Sequence, residues 1–144
     1  MWIARLAPEQ REAARRLAGG GRPGELLERA LAQPPTRECI GLAALDGDDL
    51  LGLALYGEVA GASGTGALLW LVVAEGVRRR GIGTALVADA VARLSEMRLI
   101  VAEVPTAVPA AAGLLARCGF GREGEVKQFY SEGEGMEIWV RRAG

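Results

Sequence analysis

The segment Val73-Ala74-Glu75-Gly76-Val77-Arg78-Arg79-Arg80-Gly81-Ile82-Gly83-Thr84-Ala85-Leu86 constrains this chain more than any other. An apolar run from Ala67 to Val73 reads as a buried strand. It ends in a turn with three consecutive arginines, then Gly-Ile-Gly, then a helical pattern. Strand, glycine turn and helix N-terminus in this order make a phosphate site. The first N–H groups of a helix have no partner inside it and carry a partial positive charge. Glycine lets a phosphate come close to the backbone and adopts dihedrals that other residues resist. Arg78, Arg79 and Arg80 add full charge beside it. The bland alternative is a solvated basic turn after a buried strand.

The spacing decides which phosphate sites remain. A dinucleotide fingerprint needs a glycine three residues after Gly83, where this chain has Leu86. A nucleotide P-loop needs a Gly-Lys-Ser/Thr ending, which is absent. What is left is Arg-x-x-Gly-x-Gly, formed by Arg78, Gly81 and Gly83. The chain contains no histidine, which excludes His-based triads, His metal sites and a His general base. Cys39 and Cys118 lack metal-ligand spacing, so no metal is expected. Two cysteines without a signal peptide read as reduced thiols and predict a cytoplasmic protein. The net charge of −1 argues against a whole-surface nucleic-acid role, so the arginine run is a local feature. Arg, Glu and Gly interrupt every apolar run, and no membrane span is expected.

The 144 residues read as one domain of mixed α/β type over 1–144. Trp2 to Leu6 predicts a short strand. A helix follows from Pro8 to Leu17, ended by a Gly19-Gly20-Gly21 loop. Glu25 to Ala32 predicts a second helix. Glu38 to Leu45 and Leu50 to Tyr56 flank Asp46-Gly47-Asp48-Asp49, a strong hairpin signal. After the Ala67 strand, Ile82 to Met97 has the best helical pattern. Arg98 to Val104 predicts a strand and Pro109 to Arg117 a helix stopped at Gly119. Val126 to Tyr130 and Met136 to Arg142 predict a last hairpin. The order β-α-α-β-β-β-α-β-α-β-β argues for a central mixed sheet with helices on its faces.

Glu103 stands out in the second half. In a strand of period two it shares a face with Leu99 and Val101. A carboxylate there is costly unless paired or partly wet. Burial would raise its pKa toward the range of a general base, and the alternative is a strand-end Glu at the surface or in a salt bridge.

Arg78, Gly81 and Gly83 after the strand, with Glu103, Val104, Ala111, Gly119 and Phe120 behind them, resemble the GNAT acetyltransferase family from about Ile40 to the C-terminus. The motif is most similar to that of the ribosomal-protein N-terminal acetyltransferases. The resemblance implies a single GNAT-like domain whose central, mostly antiparallel sheet carries helices on both faces. It implies acetyl-CoA as co-substrate and a primary amine as acceptor, attacking directly in a ternary complex. Leu71, Val72 and Val73 would pair with the pantetheine arm along a bulged strand. Arg78, Arg79, Arg80, Gly81, Ile82, Gly83 and Thr84 would cradle the pyrophosphate. Glu103 would be the catalytic base. Val108 and Leu115 depart from the pattern, standing where Asn and Tyr are usual. Leucine cannot protonate a leaving thiolate, and Tyr130 is the candidate replacement; its alternative role is a residue lining or packing on the acceptor cleft. Tyr56 and Trp70 read as core or cleft wall, and Cys118 as a structural thiol. The acceptor would be a small molecule or a protein N-terminus, and an exposed last strand could pair two copies into a homodimer. The rival reading is a CoA-binding sensor or interaction module without catalysis.

Overall fold

The computed structural model describes residues 1–78 and 80–143. Seven strands, β1 (Trp2–Arg5), β2 (Ile40–Asp46), β3 (Asp49–Glu58), β4 (Thr65–Val73), β5 (Leu99–Pro105), β6 (Gly121–Ser131) and β7 (Glu134–Arg142), form one sheet. Their order is β1-β2-β3-β4-β5-β7-β6. Every pairing is antiparallel except β4 with β5. The parallel pair needs a crossover, which α3 (Ile82–Arg93) provides. The other helices are α1 (Arg11–Ala18), α2 (Gly21–Leu31) and α4 (Pro109–Arg117). The fold is thus the mixed, mostly antiparallel α/β sheet that the sequence predicts.

Each face of the sheet buries its own core. On one face Leu42, Ala44, Ala54, Tyr56 and Leu68 meet Ile82, Leu86, Val87 and Ala90 of α3 and Leu115 of α4. On the other, Leu53 and Leu55 meet Ala14 of α1 and Leu26 and Leu27 of α2. Leu53 to Tyr56 shows the alternation directly: odd positions serve one core and even positions the other. Fully burying a Leu such as Leu86 or Leu27 contributes about 1.5–3 kcal/mol. The β2–β3 hairpin closes where expected, with Asp46 opposite Asp49 and Gly47 at a φ of 59°.

Boundaries differ from the sequence reading by more than two residues in four places. Pro8–Gln10 is a 3-10 turn, and the α-helix proper starts at Arg11. The triple glycine is not wholly loop: α2 begins at Gly21, four residues before the predicted start. Pro23 fits there because a first helical turn requires no N–H from it. Helix α3 ends at Arg93 rather than Met97, because Leu94 leaves helical geometry and is drawn into the core. Strand β6 starts at Gly121, since Gly121 and Arg122 pair with Val140 and Trp139 although both are exposed and neither is apolar-patterned.

Candidate functional site

Strand β4 holds the key irregularity. Opposite β3, Leu55 pairs with Trp70 but Tyr56 pairs with Leu68, so Leu69 is an extra residue on β4. The bulge turns the side chains of Leu69 and Trp70 to the same face, against α1 and α2. Beyond it the two parallel strands separate: β4 pairs with β5 only from Thr65 to Leu68. A cleft of about 140 Å³ opens there, lined by Leu69, Trp70, Leu71, Glu103, Val108 and Leu115 among others. One wall of this cleft is unpaired backbone. The Ala74 N–H donates to the Leu51 carbonyl at 2.8 Å. Alternation along the strand then points the N–H and C=O groups of Val73 and Leu71 away from β3, into the opening. Those of Val72 are spent on β3.

The outer end of the cleft meets the N-terminus of α3. Gly81 caps it with a φ of 75° and no side-chain hydrogen bond. That left-handed conformation is what glycine supplies. The first bond inside the helix runs from the Ala85 N–H to the Gly81 carbonyl. The amides of Ile82, Gly83 and Thr84 therefore have no partner within the helix. No heavy atom lies within 4 Å of the position a Cβ on Gly81 would take. At Gly83 a Cβ would come within 2.8 Å of Leu114 Cδ1 and 3.6 Å of Leu71 and Val73 side-chain atoms. Glycine there lets α3 sit tightly on β4 and α4. The Arg78 Nε donates to the Val73 carbonyl at 3.4 Å, so its guanidinium lies where β4 ends. Arg80 is exposed beside it. Arg79, expected in the same cradle, lies outside the described residues. Uncapped amides, open space and two exposed cations fit the diphosphate of a CoA thioester, and the unpaired β4 backbone fits an extended amide-bearing arm.

The other wall is made by side chains. Glu103 lies on the α1/α2 face of β5 and lines the cleft. It is not buried: its side chain is 38% exposed, and Oε2 accepts from Arg22 Nη2 at 2.9 Å. The structure therefore has the salt bridge that was the alternative for this residue, made by a carboxylate that lines the cleft. Tyr130 is half-buried on β6. Burial pushes its phenol above the ordinary value; the Glu103 carboxylate adds to this, and Arg22 opposes it. Glu103, Arg22 and Tyr130 thus share one electrostatic neighbourhood. An irregular stretch of β6 between Val126 and Ser131, with Gln128 at a φ of 58°, breaks the alternation just before Tyr130.

Leu115 is 3% exposed and forms the cleft floor, with Val108 at the N-cap of α4. Tyr56 is core, and Trp70 is cleft wall. Burial raises the pKa of both Cys39 and Cys118. Among the described residues no group of three metal-ligating side chains assembles, and no helix is long and apolar enough to cross a membrane. Arg22 was missed from sequence. The only local signal beside it is the triple glycine, which reads from the sequence as a loop.

Comparison with known proteins accords with this geometry. The family model described as the acetyltransferase (GNAT) family matches residues 6–120. Among solved structures, one described as an acetyltransferase of the GNAT family from Desulfovibrio desulfuricans is 27% identical, with a TM-score of 0.85 and 99% of each chain covered. The ribosomal-protein-alanine N-acetyltransferase of Brucella melitensis superposes with a TM-score of 0.80 at 17% identity, again over 99% of each chain. A streptothricin acetyltransferase from Bacillus anthracis, solved in complex with acetyl coenzyme A, matches at 22% identity and a TM-score of 0.66, covering 76% of this chain and 65% of that one. No curated protein matches the sequence.

Proposed function

The chain belongs to the acetyltransferase (GNAT) family, and from that premise we propose that it is an acetyl-CoA-dependent N-acetyltransferase acting on a primary amine. The observation that carries this reading is the splayed end of β4 and β5 running into the uncapped N-terminus of α3. The amides of Ile82, Gly83 and Thr84, with Arg78, Arg79 and Arg80, would hold the pyrophosphate. The Leu71 and Val73 backbone would hold the pantetheine arm. Acetyl-CoA supplies an acyl carbon whose C–S bond breaks as the amine forms its C–N bond. Glu103 takes the proton that the ammonium must lose, directly or through water. Tyr130, kept protonated by its surroundings, donates its proton to the departing thiolate sulfur. Leu115 has no proton to give, and a thiolate leaves acceptably with partial help. The Val73 N–H, turned into the cleft, is placed to donate to the carbonyl oxygen as charge develops on it. Holding both substrates in one cleft supplies much of the rate.

A second reading, a CoA-binding module without turnover, is favoured by the buried Leu115 and by the occupation of Glu103 by Arg22. One measurement tests what the two readings share, and another separates them. Calorimetry should show CoA binding that Arg78→Ala with Gly81→Ala strongly weakens; unchanged binding would sink the cofactor assignment. Free-thiol release from acetyl-CoA across an amine panel should be saturable in the amine, and tight binding without any thiol release favours the module.

A further inference from the structure

The triple-glycine turn takes no part in the cofactor cradle, yet it determines what faces the other substrate. Gly19 and Gly21 have φ values of 73° and 66°. A Cβ on Gly24 would come within 2.5 Å of the Gly19 carbonyl oxygen. That contact is backbone on backbone, so the turn is tight only because these positions lack side chains. The turn delivers Arg22 in the first turn of α2, and its Nη2 donates to Glu103 Oε2 across 81 residues of sequence. Among the residues lining the cleft, Glu103 alone is charged.

An amine acceptor reaches the cleft as an ammonium ion, and the carboxylate it needs is already held by a cation. If the ammonium displaces Arg22, a guanidinium is left without its partner. If Arg22 stays, two cations crowd one carboxylate. An acceptor that brings its own anion removes both difficulties: its ammonium takes Glu103 while its carboxylate takes Arg22. The planar, two-pronged guanidinium suits a carboxylate.

Resting on the acetyltransferase reading above, we infer that the acceptor is a primary amine bearing a carboxylate close to it, exchanged into the Arg22–Glu103 ion pair. The carboxylate can come from a free amino acid or from an acidic residue near a peptide N-terminus. Leu69, Trp70 and Val108 offer apolar walls for an aliphatic group beside the amine.

The test compares leucine, leucinamide and 3-methylbutylamine as acceptors, and in a second arm two peptides beginning Ala-Glu and Ala-Gln. Wild-type protein should show a kcat/KM at least tenfold higher for the carboxylated member of one arm, and the favoured arm names the source. Leucinamide has the less basic amine, so its reactivity biases the comparison against the expected result. Arg22→Ala should bring that ratio close to one, chiefly through KM, and Arg22→Glu should invert it, with CoA affinity by calorimetry reporting an intact fold. Equal rates for all acceptors within each arm, or a preference that survives Arg22→Ala, would overturn the inference. Saturable binding of the carboxylated amine to the CoA-bound protein, lost in Arg22→Ala without thiol release in either protein, would support the inference while defeating the acetyltransferase reading. Neither binding nor transfer defeats both.

Discussion

The two walls of the cleft are built from different materials. The wall proposed to hold the cofactor is backbone: the inward groups of Leu71 and Val73 and the first amides of α3, all within fourteen residues (71–84) of one another. The side proposed to meet the acceptor is side chains: Glu103, which lines the cleft, with Arg22 and Tyr130 beside it, carried on β5, α2 and β6 and joined only by the fold. A backbone site tolerates most substitutions provided that its glycines and its bulge remain. A side-chain site changes with single substitutions. Its ion pair is half-exposed, and such pairs contribute only about 0–1 kcal/mol to stability. One face of the cleft can therefore be fixed for the cofactor while the other is free to change acceptor at little cost to the fold.

The contrast can be broken first at Glu103. Glu103→Gln should lower kcat by about 10²–10⁴-fold at neutral pH, with partial recovery at high pH as the amine loses its own proton. A pH–rate profile identical to wild type removes Glu103 from the mechanism. On the backbone wall, Arg78→Ala with Gly81→Ala should raise the CoA dissociation constant roughly a hundredfold, from a lost charge-assisted contact and a strained left-handed residue. Tyr130→Phe should slow turnover about tenfold, at the low end of the effect of losing a general acid. Because the phenol pKa is raised, its proton persists to higher pH. The alkaline fall in the wild-type rate should begin above the ordinary phenol range and vanish in the variant. Smallest is the thiol reactivity: raised pKa values keep Cys39 and Cys118 protonated, so iodoacetamide at pH 7 should label the folded protein far more slowly than the unfolded one. Rapid labelling of Cys118 would place it among the reactive groups of the site.

The same division explains what could be read from the sequence. Local patterns yielded the element order, the Pro109–Arg117 helix, the Asp-Gly hairpin and the Gly81–Gly83 turn, because each follows from a few neighbouring residues. The turn proposed to hold the cofactor could be read for that reason. On the opposite side Glu103 and Tyr130 were named from the sequence, but Arg22 and its ion pair were not. Period-two alternation placed Glu103 on the face of Leu99 and Val101, but could not show that this face is open to solvent where β4 and β5 part. Nothing local to Arg22 indicates a partner 81 residues away. Three glycines in a row resemble a spacer, and only the close approach of Gly24 to the Gly19 carbonyl shows that they are a fitted turn.

The most direct test of the central claim is a crystal structure with bound CoA. The account predicts the pyrophosphate on the amides of Ile82, Gly83 and Thr84, the pantetheine along the inward backbone of Leu71 and Val73, and the sulfur between Leu115 and the Glu103–Tyr130 wall. CoA bound with its pyrophosphate away from the α3 N-terminus, or outside the opening between β4 and β5, would contradict it.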